Sequence, residues 1–322
     1  MSFCICLKNF YQNYKYWLKW IFSIGLLIIV FYKVDIGLVI NNFKLVTWWY
    51  YPISFILAML LQVIATIRWR FFLPDKSFSE LFKLNLIGIY YSFILPSSIT
   101  GDVAKVIQIK EPAIGKSHVA AGLIIDRLIG FLSMTLLLIP AILFSKLSIF
   151  FSFLLYVIAL AIILVLILIL FYYRIASSIF DKIMKRLKIN SQKINTLFIT
   201  LAQLIICIEN VIKENKKITY VFLFALLFQL VNAASFLITD SVFKFNLSFW
   251  HYALFASVIQ VIVLLPLSIG GIGLKDVSLV ALLGIAGISN EKALSVSLVG
   301  YPIVLMVILL SGITLMLTNR KA

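Results

Sequence analysis

Apolar runs about as long as a membrane is thick recur along this chain. A helix needs about 20 apolar residues to cross a hydrocarbon core of roughly 30 Å. With 63% hydrophobic and 12% charged residues, no stretch remains for a separate water-soluble domain. The sequence therefore predicts one all-α membrane domain over residues 1–322. Its six predicted transmembrane helices are Trp17 to Val34, Thr47 to Ile67, Val119 to Phe144, Ser148 to Tyr172, Thr219 to Thr239 and Ala293 to Leu317.

The net charge of +16 lies mostly on one side of this predicted topology. If the amino terminus is cytoplasmic, the inside carries Lys8, Lys15, Lys19, Arg68, Arg70, Lys76, Lys83, Lys110, Lys116, the segment Arg174 to Lys217, Arg320 and Lys321. The outside carries Lys33, Lys44, Lys146, Lys244, Lys275 and Lys292. Cytoplasmic connections are enriched in Lys and Arg, so we expect both termini inside and an uncleaved first span. The charge then needs no nucleic acid partner.

The basic connection at about residues 173–217 has a helical apolar pattern. It predicts a helix lying on the cytoplasmic surface, where its lysines meet anionic lipid. Topology and anchoring are one interpretation, and lipid sensing is the other. The repeating apolar positions are Ile194, Leu197, Phe198, Leu201, Leu204, Ile205, Ile208, Val211 and Ile212.

Two apolar stretches are too short or too interrupted to be spans. Leu84 to Leu95 amounts to about 18 Å of helix, and a polar return over Val103 to Ser117 follows its proline turn. Trp250 to Leu265 ends at a glycine-rich turn and returns to about Gly287. We interpret both as re-entrant helical hairpins, called the first and the second hairpin. Ordinary kinked helices are the alternative interpretation.

The two hairpins share a short motif and a place in the order of elements. Leu-Pro-Ser-Ser-Ile-Thr-Gly-Asp-Val-Ala-Lys begins at Leu95, and Leu-Pro-Leu-Ser-Ile-Gly-Gly-Ile-Gly-Leu-Lys-Asp begins at Leu265. Three spans separate the copies, so they enter from opposite faces and predict an inverted repeat of about residues 17–144 and 148–317. Such repeats place substrate sites near the midplane, where helix-end backbone is covered by protein or lines a cavity.

Four features resemble the flippase-like membrane domain family, known from the amino-terminal half of bacterial lysyl-phosphatidylglycerol synthases. They are Arg68-Trp69-Arg70, the run from Leu95-Pro96 to Gly101-Asp102, Asp126-Arg127 before Ile129-Gly130, and Pro266 to Gly273 before Lys275-Asp276. The likeness covers most of the chain. Thr100 stands where the family commonly has glycine, Lys105 where it has arginine and Asp276 where it has glutamate. We expect the aminoacyl-transferring domain to be absent, so the resemblance implies no synthase activity.

The resemblance implies a lipid transporter of the bacterial inner membrane. A polar slot between the hairpins would carry a phospholipid or polyprenyl-phosphate headgroup while the acyl chains stay in the bilayer. We expect Arg127 to contact phosphate, with Asp126 orienting it; a structural ion pair is the alternative. The predicted substrate-binding residues are Arg68, Pro96, Ser97, Ser98, Gly101, Asp102, Lys105, Asp126, Arg127, Pro266, Ser268, Gly270, Gly271, Gly273, Lys275 and Asp276.

Other functions remain as alternatives. Asp102 and Asp276 could serve as acid and base of an intramembrane lipid-modifying enzyme, and a structural subunit of a membrane enzyme is a third hypothesis. The sequence has no nucleotide-binding loop, paired-histidine motif or nucleophile elbow. Cys4, Cys6 and Cys207 lack metal-ligand spacing, so we expect no metal, cofactor or catalytic residue. Membrane lipids are the expected partners, and a homo-oligomer is compatible with the sequence.

Overall fold

The computed structural model describes most of the chain outside two large gaps. It covers residues 21, 23–28, 31–32, 34–94, 98–109, 115–145, 215–264, 268 and 270–319. Every regular element in these ranges is helical. The predicted span Ser148 to Tyr172 and the basic connection up to residue 214 lie outside the described residues. Of the first predicted span, Trp17 to Val34, residues 21, 23–28, 31–32 and 34 are described, and the rest lie outside the described residues.

Ten helices can be bounded within the described ranges. The first five are α1 (Ile36–Phe43), α2 (Tyr50–Arg70), α3 (Phe78–Ile94), α4 (Ser98–Gln108) and α5 (Lys116–Phe144). The other five are α6 (Asn215–Phe243), α7 (Phe249–Leu264), α8 (Leu274–Ile285), α9 (Asn290–Val299) and α10 (Tyr301–Asn319).

Four of these segments are long and apolar enough to cross a membrane. They are Tyr50–Arg70, Lys116–Phe144, Lys216–Phe243 and Asn290–Thr318, which match four of the six predicted spans. Large apolar side chains face outward along them, such as Ile53, Ile56 and Leu60 on α2. Such faces are normal for helices whose surroundings are lipid. The chain is therefore built for a bilayer.

The last predicted span is broken at Gly300. Helix α9 ends at Val299 and α10 begins at Tyr301, with Pro302 in the first turn of α10. Proline is tolerated there because the first-turn N–H groups have no partner within the helix. The run of apolar residues predicts one crossing here, whereas the backbone makes it from two helices.

Two hydrophobic clusters occupy opposite ends of the bundle. The Trp69 end joins the last turn of α2 to the start of α3, the residue Ile109 after α4, and the first turns of α5 and α6. The Tyr252 end joins the start of α2, the ends of α5 and α6, helix α7, helix α8 and the start of α9. Helix α2 therefore runs antiparallel to α5 and α6.

The two halves of the molecule touch through α10 and the first hairpin. Helix α10 packs against α3, where a side chain at Gly312 would come within 3.1 Å of the Tyr90 ring. A side chain at Gly270, in the turn between α7 and α8, would come within 2.8 Å of the Phe93 ring. Phe93 lies in the last turn of α3, so the end of α3 contacts the turn that holds Gly270.

Candidate functional site

In the first half of the chain, Asp102 is held between two cations. Arg127 donates from Nε to Asp102 Oδ2 at 2.6 Å, and Lys105 Nζ lies 3.3 Å from Oδ1. Arg127 lies about 16 Å of helical rise from the start of α5, well within a segment of spanning length. Its side chain is 32% exposed, so Arg127 is only partly buried.

A second ion pair ties α5 to α2. Arg68 donates from Nε to Asp126 Oδ1 at 2.9 Å and from its terminal nitrogen to the Asp126 carbonyl oxygen at 2.8 Å. The guanidinium lies 5.9 Å from the centre of the Phe228 ring, and its side chain is only 7% exposed. Arg68 is thus engaged on all sides, which fits a structural role better than ligand binding.

The expected partnership of Asp126 with Arg127 is wrong, because the two side chains serve different helices. Successive residues of a helix point about 100° apart. Asp126 therefore turns to Arg68 on α2, while Arg127 turns to Asp102 on α4. Asp102 is the residue that orients Arg127.

Gly101 lets α3 and α4 approach to backbone contact. A side chain there would overlap the Ser92 hydroxyl and the Gly88 carbonyl oxygen, and one at Gly88 would lie 2.6 Å from Lys105 Cε. Lys105 runs through this contact to place its ammonium group 5.5 Å from the centre of the Trp69 ring, a cation–π distance. Gly101 therefore permits the close contact of α3 and α4, next to which Lys105 lies beside Asp102 on the same helix.

An apolar groove leads away from the Asp102–Arg127 pair. It has a volume of about 390 Å³ and lies between α4 and α5. Val103, Ile107 and Ile124 are large apolar side chains exposed along it. The charged pair thus stands at the edge of a surface that suits hydrocarbon. The complete lining is Asp102, Val103, Val106, Ile107, Ala120, Leu123, Ile124 and Arg127.

In the second half, Asp276 is fully buried and has three donors. Gly273 N–H donates to Oδ2 at 2.8 Å, Tyr301 Oη donates to the same oxygen at 2.7 Å, and the Ser297 hydroxyl donates to Oδ1. The Gly273 bond caps the start of α8. Asp276 is therefore satisfied by the protein, and it links α8 to α9 and α10.

The glycines of the second hairpin turn are required by the backbone itself. Gly270, Gly271 and Gly273 have φ of +57°, +81° and +79°, a region that side chains disfavour. Gly273 also packs under the backbone of Ser23, whose carbonyl oxygen would lie 2.6 Å from an added side chain. Nearby, the Ser268 hydroxyl is buried and has no hydrogen-bond partner among the described residues.

Lys275 lines a cavity that Asp276 does not reach. The cavity measures about 170 Å³ and lies at the Tyr252 end. Lys275 Nζ is 5.8 Å from the centre of the Tyr301 ring. Six side chains offer polar atoms to this cavity: Tyr50, Ser54, Ser235, Thr239, Lys275 and Ser297.

The structure thus divides the predicted site residues into two groups rather than one. Gly101, Asp102, Lys105, Asp126, Arg127 and Arg68 gather in the first half, and the described residues of the second motif gather in the second half. Pro96, Ser97 and Pro266 lie outside the described residues, as does the side chain of Ser98, which begins α4.

Sequence reasoning missed the hydroxyl residues of the second group. Ser297 and Tyr301 bind Asp276. The Tyr50 and Thr239 hydroxyl oxygens lie 3.3 Å apart on the wall of the Lys275 cavity. The available signal was polar side chains inside otherwise apolar spans. Serine and threonine are common in such spans because their hydroxyls bond to backbone carbonyls of the same helix. Because such bonds are common, the few serine and threonine residues that belong to a site cannot be recognised from the sequence.

The fold and the buried charges define a multi-pass membrane protein. The family described as lysylphosphatidylglycerol synthase TM region matches residues 16–312. Because the match covers most of the chain, the protein belongs to this family, as the sequence motifs indicate. Comparison with curated proteins gives no match, and neither does comparison with solved structures.

Proposed function

We propose that this protein moves lipids between the leaflets of a bacterial inner membrane. The observation that carries the proposal is the partly exposed Asp102–Arg127 pair at the edge of an apolar groove, with Arg127 deep in a helix of spanning length. Charges in a bilayer interior normally pair or face a cavity and accompany function. The family name refers to a lipid synthase, which favours a lipid as the partner.

The charge balance of the first-half group favours an anionic headgroup. Among the described residues of this group, the cations Arg68, Lys105 and Arg127 outnumber the carboxylates of Asp102 and Asp126 by one. Arginine binds phosphate through a planar pair of donors. A phosphate-bearing headgroup would compete with Asp102 for Arg127 while its acyl chains follow the groove.

The arrangement of the hairpins supports passage from either face. Helices α3 and α4 begin and end at the Trp69 end, while α7 and α8 begin and end at the Tyr252 end. We interpret them as re-entrant hairpins of an inverted repeat, in which the end of α3 at Phe93 lies against Gly270 of the second hairpin. Alternating access in such repeats moves one half against the other around a central site.

The proposed orientation places the Trp69 end and both termini in the cytoplasm. Arg68, Arg70, Lys76 and Lys83 lie near the Trp69 end, as expected for the cytoplasmic side. The proposed transporter catalyses no chemical reaction, and it moves a phospholipid or a polyprenyl-phosphate-linked lipid. It needs neither a metal nor a cofactor.

The test compares two variants, one at Arg127 and one at a control arginine. Arg127→Gln removes the proposed phosphate contact, whereas Arg70→Gln changes an exposed arginine at the end of α2. Loss of one charged hydrogen bond is worth about 1.5 kcal/mol, so lipid movement in vesicles should slow about tenfold with the first variant only. Equal rates at matched folded amounts would refute a headgroup contact at Arg127.

A further inference from the structure

Lys275 brings a positive charge to a hydroxyl-lined cavity in the second half of the chain. The cavity walls come from α2, α6, α8 and α9, and they carry the hydroxyls of Tyr50, Ser54, Ser235 and Thr239. Lys275 is partly buried on α8. The volume of about 170 Å³ corresponds to several water molecules, which suits a compact polar group and is too small for acyl chains.

No carboxylate among the described residues forms a salt bridge with Lys275. Its neighbour Asp276 is directed elsewhere, since both oxygens accept hydrogen bonds from Gly273, Ser297 and Tyr301. A partly buried ammonium group without a carboxylate partner is the arrangement that an anionic ligand completes.

The hydroxyls around Lys275 are suited to the oxygens of such an anion. An ammonium group has three donors, and a hydroxyl has one. The Tyr50 and Thr239 hydroxyls are hydrogen-bonded to each other at 3.3 Å on the cavity wall, and the one that does not donate within this pair can donate to a ligand oxygen. Several donors converging on a compact space match a tetrahedral oxyanion better than a single flat carboxylate.

We propose that this cavity binds one phosphate-type oxyanion through Lys275. The role of the bound group rests on the proposed function, in which a lipid phosphate occupies this cavity at the end of the pathway opposite Arg127. Inorganic phosphate offers the same chemistry. The two sources differ only in whether acyl chains accompany the anion.

The experiment measures binding to the full chain in detergent, without transport. Inorganic phosphate and a short-chain phosphatidylglycerol are titrated by calorimetry at constant ionic strength, with chloride as the competing anion. Lys275→Met removes the charge and keeps much of the volume. Lys292→Met is the control, because Lys292 is an exposed lysine at the start of α9, near the same end of the molecule.

We expect the unmodified protein and the Lys292 variant to bind at least one of the two probes saturably. Lys275→Met should weaken that binding about tenfold or more, because a charged hydrogen bond is lost. Binding of the phospholipid alone identifies a lipid phosphate as the ligand, and binding of both probes identifies the oxyanion itself. Binding of neither, or equal binding by the Lys275 variant, overturns the site.

A second measurement separates loss of the site from loss of the fold. Removing a partly buried charge that lacks a carboxylate partner should leave the free protein at least as stable. Lys275→Met should therefore unfold at the same or a higher temperature without ligand, and it should gain less stability than the unmodified protein when the probe that binds is added. An equal gain for both proteins with that probe would overturn the proposal. Binding that survives in a protein unable to move lipid would refute transport and leave the oxyanion site standing.

Discussion

At the scale of single residues, glycine has two different tasks in the two motifs. Gly101 is needed for space, since a side chain would overlap Ser92 and Gly88 across the α3–α4 contact. Gly271 is needed for its backbone, with φ of +81°. In the sequence both are glycines shortly before a charge, Gly101 next to Asp102 and Gly271 four residues before Lys275. It cannot separate close approach from backbone conformation, because that difference arises only when the helices pack.

The packing role of Gly101 predicts a loss of stability on a small enlargement. Gly101→Ala should destabilise the protein by about 1 to 3 kcal/mol, as overpacking usually does. Gly284→Ala is the matched control, because an added methyl group there meets only Asn290, at 3.9 Å. Alanine favours helix over glycine, so the control should be neutral or stabilising. Thermal unfolding of both variants in detergent measures this difference. Equal unfolding midpoints would contradict the packing role of Gly101.

Ionisable residues in apolar surroundings were predictable as important, but their partners were not. Asp102, Lys105, Asp126 and Arg127 stand out because charge is rare within a membrane. Whether Arg127 meets Asp126 or Asp102 depends on how α5 is rotated against α2 and α4. That rotation follows from packing at sites such as Gly122, where a side chain would lie 2.9 Å from Phe72 Cβ.

At the scale of elements, long apolar runs predicted helices well and breaks within them poorly. Helices α2, α5 and α6 fall where the runs predict spans. The break at Gly300 was missed, because glycine and proline also occur in unbroken membrane helices. The break places Tyr301 at the start of α10, from where its hydroxyl reaches Asp276.

The hairpin interpretation makes a prediction about access from the two faces. In a protein with Cys4, Cys6 and Cys207 replaced, new single cysteines at the exposed positions Ser79 and Lys116 should react with a membrane-impermeant reagent from the cytoplasmic side. Cysteines at Ser248 and Asn290, also exposed, should react from the outside. Labelling in right-side-out and inverted vesicles measures this.

The outcome that matters is whether Ser79 and Lys116 share a face. Helices α3 and α4 lie between these two positions, so a single crossing would place them on opposite faces. Opposite labelling would make the first hairpin a transmembrane span and remove the inverted repeat. Shared labelling of both pairs on opposite faces is the result that the fold predicts.

At the scale of the whole molecule, the two halves hold their charges differently. Among the described residues, the first half holds linked ion pairs in which cations outnumber carboxylates by one, beside an apolar groove. The second half satisfies Asp276 internally and leaves Lys275 in a hydroxyl-lined cavity. The predicted repeat rests on two short motifs of the sequence. Their different electrostatics arise from residues far away in the chain, such as Arg68, Ser297 and Tyr301.

Movement of lipid by the unmodified protein tests the central claim most directly. The purified chain is reconstituted in vesicles containing a headgroup-labelled phospholipid, and a membrane-impermeant reductant is added to bleach the label. Vesicles without protein keep the inner-leaflet label protected. The account predicts that the protein exposes the inner-leaflet label to the reductant while the vesicles stay sealed. Protection equal to that of protein-free vesicles, with phospholipid and polyprenyl-phosphate probes alike, would contradict it.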